Sequence, residues 1–340
     1  MKGAILRKLN KPLSIENLTV PKPRVGQVLV EVKASGICGK QLGEISGHYG
    51  EDKYLPHLMG HEGAGIVKAI GPGVRHIKEG QHVVMHWRKG IGIDAEPAKY
   101  LDENIDIVGS GQVVTLCTEA VVSENRLTPI PDDIPFYVGA LMGCSLTTGF
   151  GIVNNEAQLK MGQSILVLGC GGVGLSVILG ASLVSAGKII AVDKFASKLL
   201  RATTIGATQV YNTSNISDGL GLFNIDKVDV VVDTTGSEVM INNAIRCCKD
   251  NGKVILAGPP CADKDIRMHN FSLAYTGKQV IFSQGGQTNP TVDIPRYAEL
   301  YTKGTLVTHR LISHIYDLDK INSAIDTMKT GTTAKCIIMM

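Results

Sequence analysis

The spacing of apolar residues along the chain changes character near residue 146. Before that point, short apolar runs at residues 27–34, 63–70 and 81–85 are separated by glycines and polar residues. Short strands at this spacing predict a small β-barrel or sandwich. The stretch 88–112 carries little pattern and is predicted to be a loop.

From residue 146 to residue 283, apolar runs alternate with helical segments, which predicts an α/β fold with a doubly wound parallel sheet. The predicted strands are residues 164–168, 189–193, 209–211, 228–233, 253–258 and 279–282. The predicted helices are residues 175–186, a segment through Lys198 and Arg201 that ends at Gly206, and residues 238–248. Residues 284–340 add a helix near 294–303 and a closing strand at 336–338.

Composition agrees with an ordinary globular protein long enough for two domains, with 340 residues, 44% hydrophobic and 19% charged. A formal charge of +3 forms no basic stripe, so nothing favours a nucleic-acid partner. No apolar run approaches the ~20 residues of a membrane span, and the N-terminus lacks the apolar core of a signal peptide. We therefore expect a cytoplasmic protein that binds no membrane.

The cysteines lack the rhythm of a disulfide scaffold. Eight are present, at positions 38, 117, 144, 170, 247, 248, 261 and 336. In an intracellular enzyme of this size, free thiols or metal ligands are expected rather than disulfides.

A glycine-rich turn, Gly169-Cys170-Gly171-Gly172-Val173-Gly174, joins the predicted strand 164–168 to a helix. In this context the first glycine permits the tight turn, the second lets the backbone approach a pyrophosphate, and the third lets helix and strand pack closely. The amides at the start of the helix then face the phosphates. The turn therefore predicts a dinucleotide site formed by Gly169, Gly171, Gly172, Val173 and Gly174.

An acidic residue follows the next strand, as such a site requires. Asp193 lies 19 residues beyond Gly174, close to the ~20 expected for the residue that binds the adenine ribose. Its carboxylate would accept hydrogen bonds from NAD and repel the additional phosphate of NADP. Lys194 and Lys198 could accommodate the additional phosphate of NADP, but the aspartate favours NAD. The alternative to a dinucleotide site is a plain turn beside a surface aspartate.

Three residues in the first part of the chain form a possible metal set. Cys38 is followed 23 residues later by His61, and Cys144 lies near the end of the β-rich part. Each alone is more often a core residue, but thiolate, imidazole and thiolate together are a three-ligand zinc set with an open fourth position. Glu62 could occupy that position reversibly.

These motifs together resemble the zinc-dependent medium-chain dehydrogenase/reductase family over essentially the full length. The resemblance is carried by the zinc signature at 60–67, the third-ligand motif at 143–149 and the dinucleotide turn at 169–174. It implies a GroES-like β-barrel catalytic domain of residues 1–145 and 284–340. It also implies a Rossmann NAD-binding domain of residues 146–283, and assembly as a homodimer or homotetramer.

The resemblance also implies roles for individual residues. Cys38, His61 and Cys144 would ligate one catalytic zinc, with Glu62 as the alternate fourth ligand. Thr148 would lie against the nicotinamide, Trp87 would border the substrate pocket, and Lys198 would help to hold the adenosine ribose. The expected reaction moves a hydride between a small-molecule alcohol or carbonyl compound and NAD, with zinc as the Lewis acid.

Three positions depart from the family pattern. Lys40 replaces the hydroxyl residue that relays the alcohol proton, and Gln41 replaces the aspartate that supports the zinc-bound histidine. Residues 88–116 contain no cysteine, so no structural zinc is expected. Lys40 has two interpretations: its amine carries the proton, or it points to solvent and the proton leaves through water.

The substrate is the least determined feature. The charged residues Lys40, Glu44, His48 and Arg88 favour a polyol, a sugar or another secondary alcohol. Two alternatives share the fold, namely a zinc-free NAD(P)H-dependent quinone or enone reductase and a non-catalytic binding or structural protein. Cys38, Cys144 and Asp193 argue against the reductase.

Overall fold

A computed structural model describes residues 1–214, 225–259, 265–268 and 273–340. The strands in this part of the chain are β1 Lys2–Leu6, β2 Ser14–Asn17, β3 Gln27–Ile37, β4 His57–Leu58, β5 Glu62–Ile70, β6 His82–His86, β7 Tyr100–Leu101, β8 Ile107–Ser110, β9 Glu119–Ser123, β10 Leu127–Pro129, β11 Ser164–Leu168, β12 Lys188–Asp193, β13 Gln209–Asn212, β14 Val228–Asp233, β15 Cys248–Leu256, β16 Gln279–Phe282, β17 Ile312–Asp317 and β18 Lys335–Met339. The α-helices are α1 Gly39–Ser46, α2 Phe136–Met142, α3 Ser145–Gly151, α4 Gly172–Leu183, α5 Ala196–Thr204, α6 Glu238–Cys247, α7 Pro290–Thr302 and α8 Ile321–Lys329.

The chain forms two compact units. The first comprises Met1–Thr147, Asn289–Thr330 and Lys335–Met340, and the second comprises Thr148–Thr288 and Gly331–Ala334. The C-terminal part of the sequence therefore returns to the first unit.

The first unit contains two sheets and is centred on β3. One sheet has the strand order β2-β1-β4-β8-β7, and the other has the order β10-β6-β5-β3-β18-β17 with β9 also paired to β3. Along β3, buried Val28, Val30 and Val32 alternate with half-buried neighbours, as expected for a strand with one face in the core. The last four residues of β3 are all buried. This strand therefore ends inside the unit rather than at its surface.

The prediction of a loop over residues 88–112 is wrong in part. Two short strands, β7 and β8, pair with each other within this stretch. With two and four residues, they are too short to show a period in the sequence. Their pairing depends on the neighbouring sheet, which is a tertiary effect.

The second unit contains a six-stranded sheet with the order β13-β12-β11-β14-β15-β16, and every pair in it is parallel. The predicted doubly wound α/β fold is therefore confirmed. The helix predicted at 175–186 in fact spans Gly172–Leu183, because its first turn is formed by the glycine-rich sequence itself. Helix α8 and strand β17 are additional to the predicted elements.

Helix lengths and cysteine states complete the description. No single helix in the described ranges is long and apolar enough to cross a membrane. Phe136–Met142 and Ser145–Ala157 reach that length and composition only as a pair, with a bend of 45° between them. The seven described cysteines are all free thiols, and Cys261 lies outside the described residues.

Candidate metal and dinucleotide sites

The ends of three strands meet at one point of the first unit. β3 ends at Ile37, directly before Cys38. Its antiparallel neighbour on one side, β5, begins at Glu62, and its antiparallel neighbour on the other, β18, begins at Lys335. Because both neighbours begin where β3 ends, residues far apart in sequence are brought together.

The pairing of β6 with β5 concerns the position of Trp87, which directly follows β6. β6 pairs with the free edge of β5, with Glu62 opposite His86. Trp87 follows the last paired residue of β6, His61 precedes the first paired residue of β5, and Trp87 is half-buried. Its position beside the ligand set stays a prediction.

The predicted ligands converge in the structure. Cys38 Sγ lies 3.3 Å from His61 Nε2. One ligand atom from each of Cys38, His61 and Glu62 lies within 4.8 Å of the other two. Cys144 lies at the corner between α2 and α3, and its side chain is the largest influence on the lowered pKa of Cys38.

Two glycines make this convergence possible. A Cβ on Gly143 would lie 2.4 Å from the Met85 carbonyl oxygen and 2.9 Å from Glu62 Cβ. A Cβ on Gly36 would lie 2.7 Å from Glu62 Cδ. All three distances are shorter than a carbon atom permits, so the Cys144 corner and the Glu62 carboxyl group approach only because side chains are absent there.

The titration behaviour of the thiols suits metal binding. The hydrogen bond with Cys144 lowers the pKa of the Cys38 thiol well below its ordinary value, and nearby His61 acts in the same direction. The same hydrogen bond, together with burial, raises the pKa of Cys144. Burial lowers the pKa of His61, but the neighbouring Cys38 thiolate outweighs it and leaves the pKa raised. A pair of thiols that shares one negative charge can thus lose its second proton to solvent when a metal cation binds to the two sulfurs.

Lys335 is a site residue that the sequence analysis missed. Its side chain is 1% exposed, that of Glu62 is 0% exposed, and Lys335 Nζ forms an ion pair with Glu62 Oε1. The second carboxylate oxygen accepts a hydrogen bond from the Ser145 N–H at 3.4 Å. Burial lowers the pKa of Lys335, but Glu62 and the two cysteines raise it overall, so the ammonium stays charged. Only its place at the start of an apolar C-terminal strand signals this lysine in the sequence.

Gln41 has a different role from the aspartate that it replaces. Its Oε1 accepts the backbone N–H of Cys38 at 2.8 Å, and the two residues form a capping box at the start of α1. Its Nε2 is buried and lacks a hydrogen-bond partner among the described residues. The side chain therefore holds the Cys38 backbone in place.

The Lys40 ammonium lies beside Glu44, at 3.3 Å along the surface of α1, and the lysine side chain is 60% exposed. This geometry corresponds to the interpretation in which the lysine points to solvent. A role of Lys40 as proton carrier stays a prediction.

The residues of the first site fit a zinc ion. Two cysteine sulfurs and one imidazole nitrogen are the donor set of a catalytic zinc with an open fourth position. All three ligand residues are half-buried, whereas the Glu62–Lys335 pair behind them is fully buried. Two thiolates and the Glu62 carboxylate carry three negative charges, which a divalent cation and the Lys335 ammonium balance.

The glycine-rich turn of the second unit has the geometry that the sequence predicts. Gly169 has a φ of 94°, and a Cβ on Gly174 would lie 1.9 Å from the Gly169 carbonyl oxygen. Gly171 is the N-cap of α4, and Gly172 and Val173 begin that helix. A Cβ on Gly171 would meet no described atom within 4 Å, which leaves open space in front of the helix N-terminus.

Asp193 ends β12 and holds this turn. One carboxylate oxygen accepts the Cys170 N–H at 2.8 Å and the other accepts the Phe195 N–H at 2.9 Å. Lys198 Nζ lies 3.9 Å from the carboxylate, and the Lys194 and Lys198 ammonium groups lie 5.1 and 5.3 Å from the Phe195 ring centre. Thr148 is buried in α3 of the same unit.

Comparison with known proteins gives a consistent result. Residues 24–132 match the alcohol dehydrogenase GroES-like domain, and residues 172–303 match the zinc-binding dehydrogenase domain. A probable S-(hydroxymethyl)glutathione dehydrogenase of Schizosaccharomyces pombe is 30% identical, over 100% of this chain and 97% of that protein.

Two solved structures are also similar. Benzyl alcohol dehydrogenase from Acinetobacter calcoaceticus has a TM-score of 0.89 at 27% identity, over 100% of this chain and 99% of that one. An alcohol dehydrogenase zinc-binding domain protein from Burkholderia ambifaria has a TM-score of 0.90 at 27% identity, over 100% and 98%. With the metal-ligand set and the dinucleotide turn both present, this chain belongs to the zinc-dependent medium-chain dehydrogenase/reductase family of oxidoreductases.

Proposed function

We propose that this enzyme interconverts a small-molecule alcohol and its carbonyl compound, with one catalytic zinc and NAD. The observation that carries the proposal is the convergence of Cys38, His61 and Glu62 within 4.8 Å, with the free Cys144 thiol close enough to Cys38 to lower the pKa of that thiol. A zinc-free reductase or a non-catalytic binding protein would not need this donor set, and both alternatives are disfavoured.

The residues of the first unit would bind and orient the metal. Cys38, His61 and Cys144 would hold zinc, and Lys335, which forms a buried ion pair with Glu62, would hold that carboxyl group next to it. When bound, zinc supplies a Lewis acid for the alcohol oxygen, and NAD supplies the hydride acceptor. The second unit would bind NAD through the turn from Gly169 to Gly174, with Asp193 and Lys198 at the adenine ribose and Thr148 at the nicotinamide.

The substrate that we propose is a polyol, a sugar or another secondary alcohol. Support comes from the polar face of α1, where Lys40 and Glu44 form an ion pair one turn after the ligand Cys38. A hydroxylated substrate could add hydrogen bonds to this ion pair, whereas a simple aliphatic alcohol has no second hydroxyl group with which to do so. An NAD-linked absorbance assay over aliphatic, aromatic and polyhydroxylated alcohols tests this assignment.

The proton path is tested by Lys40→Ala. If the amine carries the alcohol proton, kcat falls strongly and its pH profile changes. An unchanged profile would show that the proton leaves through water, in agreement with the exposed position of Lys40 beside Glu44.

Metal analysis is the direct test of the whole assignment. The purified enzyme should contain about one zinc per chain. Cys38→Ser and Cys144→Ser should lose zinc and turnover together, whereas Cys247→Ser, a buried cysteine in α6, should keep both. Full activity in a zinc-free Cys38→Ser preparation would overturn the proposal.

We also propose assembly into a homodimer or homotetramer. Support comes from β16, which pairs with β15 on one edge and with no described strand on the other, and whose Phe282 is 63% exposed. Light scattering should give the mass of two or four chains for the wild type and a smaller mass for Phe282→Asp. A monomeric wild type would contradict this part.

The cytoplasmic location expected from the sequence is likewise a proposal. Fractionation of cells that express the tagged chain tests it.

A further inference from the structure

The segment that follows β6, residues 87–95, has neither helix nor strand. Its backbone N–H and C=O groups therefore need partners outside a regular ladder. Many members of the family hold a structural zinc with cysteines in this part of the sequence, but residues 88–116 contain none here. The described partners of segment 87–95 come largely from four consecutive residues, the last residue of β9 and the three that join it to β10, which we call the 123–126 turn.

Glu124 is the centre of the 123–126 turn. Its residue is 1% exposed, and one carboxylate oxygen accepts the Ile93 N–H at 2.9 Å. The other oxygen accepts the N–H groups of Arg75 and His76 at 2.6 and 2.7 Å. Burial raises the pKa of Glu124, but these three donors outweigh it and leave the pKa lowered. The carboxylate thus ties segment 87–95 to the loop before β6.

Ser123 and Asn125 hold the middle of the segment. Ser123 Oγ accepts the Ala95 N–H at 2.7 Å and donates to the Ile93 carbonyl at 2.6 Å. The Asn125 carbonyl accepts the Gly90 N–H at 2.7 Å. These bonds replace the ladder that the segment lacks.

Arg126 holds the end of the segment that carries the tryptophan. Its side chain is 6% exposed and donates to the Trp87 carbonyl oxygen. The same guanidinium lies 3.6 Å from Asp94, which also pairs with Lys89 at 2.6 Å. Arg126 therefore links the first residue of the segment to its second half.

We infer that the 123–126 turn positions Trp87 in the substrate pocket, with Arg126 as the positioning residue. The inference rests on the proposed function for the role of Trp87 as a pocket wall. The ladder between β5 and β6 ends with Glu62 opposite His86, and Trp87 is the next residue after β6, so we expect a shift of the indole to change the space beside the metal ligands. Arg126 would thereby influence which alcohols fit, without contact with substrate.

Trp87 is the single tryptophan of the chain, so its fluorescence reports on this residue alone. In Arg126→Gln we expect acrylamide quenching to rise about twofold and the emission to shift to longer wavelength, because a looser loop admits water. For bulky alcohols KM should rise by about tenfold, while kcat for the smallest substrate changes little. A displaced Trp87 side chain alters which substrates fit the pocket but leaves the metal ligands in place. Arg126→Lys should restore part of both signals.

The control is Lys89→Ala, which removes the exposed partner of Asp94 and leaves the Trp87 carbonyl bond intact. Its quenching and KM should match the wild type. If Arg126→Gln fails to fold, Asp94→Asn, which removes the carboxylate beside the Arg126 guanidinium, is tested by the same quenching and KM measurements. Unchanged quenching and an unchanged KM pattern in the folded variant would overturn the inference. If the wild-type enzyme turns over no alcohol, the proposed function fails, but the fluorescence still decides whether Arg126 positions Trp87.

Discussion

Lys335 shows how one buried charge can shape a metal centre. It is almost completely buried, and its ammonium faces the only carboxylate of the described ligand cluster. A buried ion pair is weak evidence for stability, but removal of one partner leaves the other charge without compensation. We therefore expect this ion pair to determine whether the Glu62 carboxyl group can approach a bound metal.

In Lys335→Met, we expect Glu62 to be released toward the metal. Turnover should fall by about 10–100-fold, as found for residues that orient metal ligands, while zinc is retained. In the cobalt-substituted enzyme, the visible absorption bands should shift because a carboxylate oxygen joins the ligand set.

Lys335→Arg is the matched control, since it keeps the charge, and it should preserve the cobalt spectrum. The double variant Lys335→Met with Glu62→Gln should be more stable than Lys335→Met alone, because no buried charge is then left unpaired. An unchanged cobalt spectrum in Lys335→Met would contradict this role of the lysine.

His86 predicts a pH dependence of stability. It is 1% exposed, its Nδ1 faces the Arg88 carbonyl at 2.7 Å, and its Nε2 faces the Thr128 hydroxyl at 2.9 Å. This arrangement suits a neutral ring that donates to one partner and accepts from the other. Burial lowers the pKa of His86 to about 4, below the value of about 6.5 in an unfolded chain.

Because the unfolded state binds more protons between these two values, the stabilising effect of His86 is fully present above pH 6.5. It is lost as the pH falls toward 4, at about 1.4 kcal/mol per pH unit and about 3 kcal/mol in total. Urea unfolding of the wild type and of His86→Gln across this range measures the difference. Parallel pH profiles for the two proteins would rule out the effect.

At the scale of elements, the turn between β11 and α4 contains one glycine that the fold requires and another that we expect to serve ligand binding. Gly174 is required for the fold, because its Cβ would lie 1.9 Å from a backbone oxygen. Gly171 has open space in the same test. Two glycines of one motif thus have different physical reasons to be glycine.

We therefore predict different outcomes for two single-methyl variants. Gly174→Ala should lower the unfolding temperature of the protein and abolish NAD binding, since α4 can no longer pack on β11. Gly171→Ala should unfold at the wild-type temperature but bind NAD about tenfold or more weakly, because the methyl group occupies the space for the pyrophosphate. Calorimetric titration with NAD and thermal unfolding measure both properties. Equal effects in both variants would show that this distinction is wrong.

At the scale of the whole molecule, the two predicted ligands belong to different compact units. All proposed zinc ligands lie in the first unit, and the dinucleotide residues lie in the second. A ligand that binds only the folded state stabilises it by mass action, so each ligand stabilises the unit that binds it.

Chelation of zinc should accordingly destabilise the first unit by up to about 4 kcal/mol for a ligand present at 1,000 times its dissociation constant. Hydrogen exchange should show faster opening of β3, β5 and β18 after chelation, and slower opening of β11 and β12 after addition of NAD. If zinc removal changed hydrogen-exchange protection only in the second unit, the assignment of zinc to the first unit would be wrong.

The alternation of strands and helices in the second unit, the dinucleotide turn and the residue types of the metal set could all be predicted from the order of the residues. These are local properties: the period of apolar residues, the conformational freedom of glycine and the donor chemistry of cysteine and histidine. The comparisons confirm the family and the two-part fold that these patterns predicted.

Contacts between residues far apart in the sequence depend on how the strands pair, and the order of the residues did not reveal them. Lys335 reaches Glu62 because β18 and β5 flank the same end of β3, and no local pattern encodes that neighbourhood. Arg126 likewise reaches the Trp87 carbonyl oxygen across 39 positions of the sequence, whereas the bond from the Cys38 N–H to Gln41 spans three positions and is a local helix cap. The ligand residues could therefore be predicted from their donor chemistry, whereas the contact between Lys335 and Glu62 depends on strand pairing.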